Sequence, residues 1–205
     1  CALPSALKRS VSASAVSVPV RSASATEAST PVPAKASTAT GMRDCAEAWG
    51  LGACALRYFN AAGATPEWGE HHTPELHLIP LVLQVALGQR SDITVFGSDY
   101  PTPDGTCIRD YVHVKDICRA HTLAYRYMEE NNKSVVFNVG CGKGYSVKEV
   151  VDKVNKIIHN GTMEITYEDK RNGDVPRLVA NTEIAETVLK FKPQYTLDDI
   201  IESMK

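Results

Sequence analysis

Residues 135–151 read VVFNVGCGKGYSVKEVV: an apolar run, glycines at 140, 142 and 144, then a helical period. MEITYED follows and closes on Glu168 and Asp169. Strand, glycine loop, helix, strand and an acid about 20 residues past the glycines is the arrangement that seats a dinucleotide. The glycines let the backbone approach a pyrophosphate, and the acid takes a ribose hydroxyl. Three features of the same stretch argue against that chemistry. The spacing is G-x-G-x-G, so the third glycine falls one residue short of the position where it lets helix and strand pack closely. Ser146 and Glu149 have the spacing of a capping box, which starts the helix after the glycines and moves its positive end off the loop. Only residues 170–205 remain past Asp169, too few for the further strand–helix units of a doubly wound dinucleotide domain. A tight strand-to-helix connection is the expected role.

Other reactive side chains are scattered. Cysteines stand at 1, 45, 54, 107, 118 and 141, with no C-x-x-C and no histidines beside them at zinc spacing. Reduced thiols in an intracellular protein are expected, and no metal site. His113 and His121 are expected to be structural or surface residues. A formal charge of −2 argues against a broad nucleic-acid surface. No apolar run reaches the roughly 18 residues of a membrane span. With 43% hydrophobic residues over 205 positions, the composition suits one soluble domain with a tail.

The elements that must position any site begin at Met42. Residues 1–41 are dominated by Ala, Ser and Thr, with Glu27 the only acid and Lys8, Arg9, Arg21 and Lys35 the only bases. Such a stretch buries too little surface to offset its ordering entropy, so a disordered tail is expected. A Ser-rich, acid-poor leader of this kind also fits an organellar transit peptide, and a misread frame would give similar composition. The chain opens on Cys1 rather than Met, as a processed product, a fragment or an incomplete gene reading would. From Met42 the pattern predicts a helix end at 42–48 stopped by Gly50, a strand at 53–58, and an apolar helix from His77 to Gly88. A strand at 93–97, the turn-rich loop SDYPTPDGT, a strand at 108–114 and a helix begun by Asp116 follow. Then come a strand at 135–139, a helix at 146–158, a strand at 163–167 and short helices near 182–190 and 196–203. The folded part is α/β, and about 150 residues suffice for one core.

LRYFNAAGA (56–64), HLIP (77–80), VFGSDYPTPDGTCIRDYVHVKD (95–116), FNVGCGKGYSV (137–147) and GDVPRLVA (173–180) occur in this order. In them residues 42–205 resemble the UDP-glucose 4-epimerase family of extended short-chain dehydrogenase/reductases. The DYPTPDGT insertion before RDY is the most discriminating piece. The resemblance implies the C-terminal, UDP-sugar-binding part of a Rossmann-type NAD(P)-binding fold, with residues 42–205 carrying that region and the last Rossmann elements. It places Asn60 at the sugar-diphosphate end, and Tyr58 and Phe59 against the nicotinamide of the NAD cofactor. His77 and Leu78 fall at the diphosphate, and Thr94, Val95 and Phe96 around the uracil. Arg109 and Arg171 fall on the pyrophosphate, Asp174 on ribose hydroxyls, and Leu178 beside the hexose, where it bears on whether N-acetylated sugars fit. The residue types suit those roles, because a diphosphate favours planar, bidentate guanidinium donors over lysine.

The family's reaction also requires a Y-x-x-x-K pair and an N-terminal glycine-rich loop for NAD. The pair is expected roughly 27 residues before Arg57, where the sequence reads TPVPAKAS: Lys35 stands near the lysine position, and Thr30 or Pro31 where tyrosine belongs. The glycine loop is absent as well. Three readings follow. The first is a UDP-glucose 4-epimerase, interconverting UDP-galactose and UDP-glucose, represented here by a truncated chain that is itself inactive and poorly soluble. The second is a non-catalytic sugar-nucleotide-binding or partner-binding remnant. The third is a 4-epimerase of UDP-arabinose or UDP-N-acetylglucosamine. The resemblance implies a homodimer, and the cytosol unless residues 1–41 are a true transit peptide.

Overall fold

The computed structural model describes residues 9–10, 41–42, 44–45, 47–50, 52–131, 133–159 and 163–205. Lys35 and nearly all of the expected tail lie outside the described residues. Residues 41–42, 44–45 and 47–49 are helical, and the chain then enters β1, Cys54–Tyr58. β1 runs parallel to β5, Val135–Val139, with Cys54 opposite Val135 and Tyr58 opposite Val139. A second sheet is built on β4, Ile108–His113. β2, Asn60–Ala62, pairs parallel with its second half. β6, Gly144–Ser146, pairs antiparallel and β8, Arg177–Leu178, parallel with its first half. β3, Ile93–Phe96, and β7, Ile165–Glu168, form a separate parallel pair.

That pairing decides the status of the glycine stretch. β5 and β7 flank the loop and helix in sequence but belong to different sheets, β5 with β1 and β7 with β3. The apparent β-α-β unit is therefore not one.

Two apolar clusters hold the elements. The first joins α1 (Leu78–Ala86), α3 (Val147–Val154) and α5 (Leu197–Ser203) through Ile79, Val82, Val150, Val154, Ile200 and Ile201. The second joins α2 (Val114–Asn131), α4 (Glu183–Val188), β1 and β5 through Ile117, Ala120, Phe137, Val139, Leu189 and Phe191. β4 serves both, because successive strand side chains point to opposite faces: Tyr111 enters the first cluster and Val112 the second.

The local start signals act as expected at α3 and α5. Ser146 Oγ accepts from Glu149 N–H while Glu149 accepts from Ser146 N–H, and Thr196 with Asp199 repeats the box. α3 leaves α-helical geometry at Val154 and continues as a wider turn over Asn155–His159, short of the single helix expected to 158. Asp116 does not begin its helix. α2 starts at Val114, and the buried Asp116 carboxylate instead accepts N–H bonds from Gln194 and Tyr195 and pairs with Arg119 at 2.6 Å. Three short strands the pattern did not predict, β2, β6 and β8, exist because β4 supplies the partner backbone.

Candidate functional site

Phe59 marks where the chain leaves one sheet for another. Tyr58 ends β1 beside Val139, Phe59 N–H donates to Val139 O at 3.1 Å, and Asn60 opens β2 opposite Tyr111. The carboxyl ends of parallel strands at such a switch form the crevice where α/β folds take ligands. Tyr58 and Asn60 are exposed there. The Tyr58 hydroxyl meets His121 Nε2 at 2.9 Å, and His121 Nδ1 lies 2.9 Å from the Ile117 carbonyl. Nδ1 therefore donates to the Ile117 carbonyl, leaving Nε2 to the phenol. Burial, and then the neighbouring Cys118, push the Tyr58 phenol up, so it stays neutral.

The start of β4 carries the charge. Arg109 Nη1 donates to the carbonyls of Ile108 at 2.9 Å and Val175 at 2.8 Å, and Nη2 to Asp174 at 3.2 Å. A guanidinium has five N–H donors. Arg109 Nε–H and one Nη2–H are left without a partner among the described residues. Leu178, exposed, lies opposite Arg109 in the β8–β4 register. Arg171 lies over the Phe96 ring at 3.7 Å, and the Asp174 N–H donates to Arg171 O, closing a turn. Asn60, Arg109, Arg171, Asp174 and Leu178 are thus gathered by β4 and its partners β2 and β8, with the 171–174 turn leading into β8.

The expected uracil residues divide. Thr94 and Phe96 share one face of β3, whereas Val95 alternates to the opposite face and is buried. Val95 can offer a base only its backbone. His77 and Leu78 stand at the start of α1, whose N-cap makes no side-chain hydrogen bond and whose first turn holds no acid. The His77 ring turns toward Glu70 and Glu75 rather than toward arginine.

The glycine turn at 140–144 is closed by protein. Asp110 accepts N–H bonds from Cys141 at 2.8 Å, Gly142 at 2.9 Å and Ala180 at 3.1 Å. A Cβ on Gly140 would stand 2.6 Å from both the Asp110 carboxylate and Ala180, and Gly142 has φ of +68°. Its N–H groups are committed to Asp110 and α3 is capped by its own side chains, so the turn does not fit a dinucleotide phosphate. Among the described residues no other glycine-rich turn opens a helix. Burial, and then Asp110 and Asp116, push the Cys141 thiol up to about 12, which keeps it protonated and unreactive.

One Y-x-x-x-K spacing, Tyr111 to Lys115, escaped the sequence reading. Such a pair needs both residues on one helix. Here Tyr111 is a buried strand residue whose phenol burial pushes upward, while Lys115 lies in α2 with Nζ over Tyr195. The DYPTPDGT loop also holds more than its turn signals suggested. Asp104 accepts from Thr106 N–H and Oγ1 and is bonded to Ser146 Oγ. Burial opposes its charge, but these hydrogen bonds hold its pKa below the usual value. Tyr100 lies buried beneath Lys170, whose Nζ also meets Asp99 at 2.9 Å.

The NAD dependent epimerase/dehydratase family profile matches residues 17–140, beginning upstream of the resemblance at Met42. This chain belongs to that family. It is 49% identical over 162 residues to the UDP-glucose 4-epimerase of Halalkalibacterium halodurans, covering 77% of this chain and 48% of that protein. A crystal structure of a UDP-glucose 4-epimerase superposes with a TM-score of 0.78 at 46% identity, covering 83% of this chain and 52% of that one. The Bifidobacterium longum UDP-glucose 4-epimerase, solved with NAD+ and UDP, gives 0.76 at 34% identity, over 83% and 51%. The chain spans about half the length of the curated relatives it matches. The α/β Rossmann-like epimerase fold is therefore present over that half.

Proposed function

We propose that residues 42–205 form the UDP-sugar-binding part of a UDP-glucose 4-epimerase. The observation that carries this reading is Arg109, which keeps spare guanidinium donors beside Asp174 at the start of β4. Arg109 and Arg171 take the two phosphates, because charge-assisted bidentate bonds to an anion are worth roughly 1.5–3 kcal/mol each. Asp174, already turned toward Arg109, accepts from ribose hydroxyls. Thr94, Phe96 and the Val95 backbone hold the uracil, with Arg171 stacked on Phe96. The uncapped first turn of α1, after His77 and at Leu78, offers N–H groups to the diphosphate. Asn60 and Leu178 then face the hexose, and Tyr58 and Phe59 border the side from which NAD approaches. In the whole protein, NAD would exchange a hydride at C4 and so interconvert UDP-galactose and UDP-glucose. The residues described here bind and orient the nucleotide-sugar. The UDP-glucose 4-epimerases it resembles support this choice of sugar nucleotide.

Calorimetric titration of the 205-residue chain with UDP tests the reading. Saturable binding that weakens on Arg109→Ala is expected. A folded chain that ignores UDP would sink it. Assay of UDP-galactose, UDP-N-acetylglucosamine and UDP-arabinose, with analysis of released NAD after denaturation, separates an epimerase from a binding protein and sorts its sugar.

A further inference from the structure

We propose that Glu70, His72 and His77 form a binding site for a divalent transition-metal ion, of which Zn2+ best matches the donors. The eight residues EHHTPELH fold back so that Glu70 Oε1 lies 2.9 Å from His72 Nε2 and 3.1 Å from His77 Nδ1. All three ligand atoms fall within 4.8 Å of one another. A tetrahedral ion with bonds of about 2.0–2.1 Å sets its ligand atoms about 3.3–3.4 Å apart, so small side-chain movements seat it. Two imidazoles and a carboxylate with an open position facing solvent are a donor set that zinc accepts, and they are neither soft enough for Cu(I) nor oxygen-rich enough for Ca2+ or Mg2+.

The electrostatics ask for a cation at this place. Glu75 Oε1 also lies 2.8 Å from His77 Nδ1, so two carboxylates converge on one ring nitrogen that has at most one proton to give. Glu75 is already fixed by the N–H groups of Leu76 and His77, both at 2.8 Å. Among the described residues no lysine or arginine pairs with Glu70 or Glu75. The cluster brings two carboxylates together, whose charge a divalent ion would neutralise. The ligands lie on both sides of one tight turn, so ligation needs little further ordering of the chain. The ion would pin the segment that leads into α1.

The test is Co2+ titration of the full chain, read by visible absorption, with Zn2+ displacing the cobalt. One equivalent of Co2+ in a low-symmetry nitrogen–oxygen field is expected. His72→Ala and Glu70→Gln should each weaken it at least about tenfold, the minimum seen even when outer-shell partners of a metal ligand are removed. His71→Ala, an exposed neighbour outside the set, should leave it unchanged. Three results would each overturn the proposal: no saturable binding, equal binding by both ligand variants, or the intense near-ultraviolet bands of cysteine–cobalt bonds. The two ligand variants alter exposed side chains, and circular dichroism melts matched to the parent chain confirm that either reports on ligation rather than folding.

Discussion

Arg109 and Asp110 are neighbours on β4 with opposite fates. Asp110 turns inward, and its carboxylate is consumed by three backbone N–H groups from two other segments. Arg109 lies on the opposite face, largely covered, and only part of its donor capacity is used within the protein. Side-chain charge alone does not separate a binding group from a structural one. What separates them is whether the hydrogen-bonding capacity is spent. The glycine turn stands with Asp110: it has a phosphate loop's composition, but an internal anion already occupies its amides.

The sharpest way to break this contrast is Asp110→Ala. The buried Ala180 N–H and the part-buried Cys141 and Gly142 N–H groups would lose their acceptor, so a loss of about 2–4 kcal/mol is expected in urea unfolding. Unchanged stability would mean that the turn holds itself. Arg109→Ala should act chiefly on binding. UDP affinity should fall about 10- to 150-fold, while the loss of three internal hydrogen bonds should cost about 1–3 kcal/mol of stability. A large stability loss with intact UDP affinity would place Arg109 in the scaffold. Gly140→Ala forces a methyl to within 2.6 Å of Asp110 and Ala180 and should cost about 1–3 kcal/mol without touching the UDP site.

A smaller, graded effect comes from acid. His113 is buried, and its Nδ1 accepts the Lys115 N–H at 3.0 Å, which requires the neutral ring. Burial and then Lys115 push its pKa below 6.5, only partly opposed by Asp116 and Asp199. A group depressed in the folded state contributes stability that is present above its unfolded pKa and lost as pH falls through the folded one. Melting temperature should therefore decline as pH drops below 6.5. A flat profile from pH 7 to 5 would show that another site compensates.

Local rules were legible and long-range ones were not. The Ser146–Glu149 box lies within one turn of chain, so spacing alone identified it. Family motifs single out Asn60, Arg109 and Asp174 as candidates, and strand pairing brings those distant segments toward β4. Asp110 could not be read in advance, because its partners lie 31, 32 and 70 residues away. Acids favour a helix start, which is what the sequence pattern predicts for Asp116, yet tertiary contacts to 194–195 claim it. Val95 faces inward because the strand alternates, so of the run 94–96 only Thr94 and Phe96 share the other face. His72 and His77 have the H-x4-H spacing that zinc ligands use, but Glu70 joins them only because the chain folds back between them.

β4 donates Tyr111 to one apolar cluster and Val112 to the other. Pulling this strand out would therefore dismantle both at once, which couples their opening into one cooperative unit. Amides of α2 and α5, though packed in different clusters, should exchange with deuterium through a common opening. A nucleotide clasped by Arg109 would then slow exchange in helices it never touches.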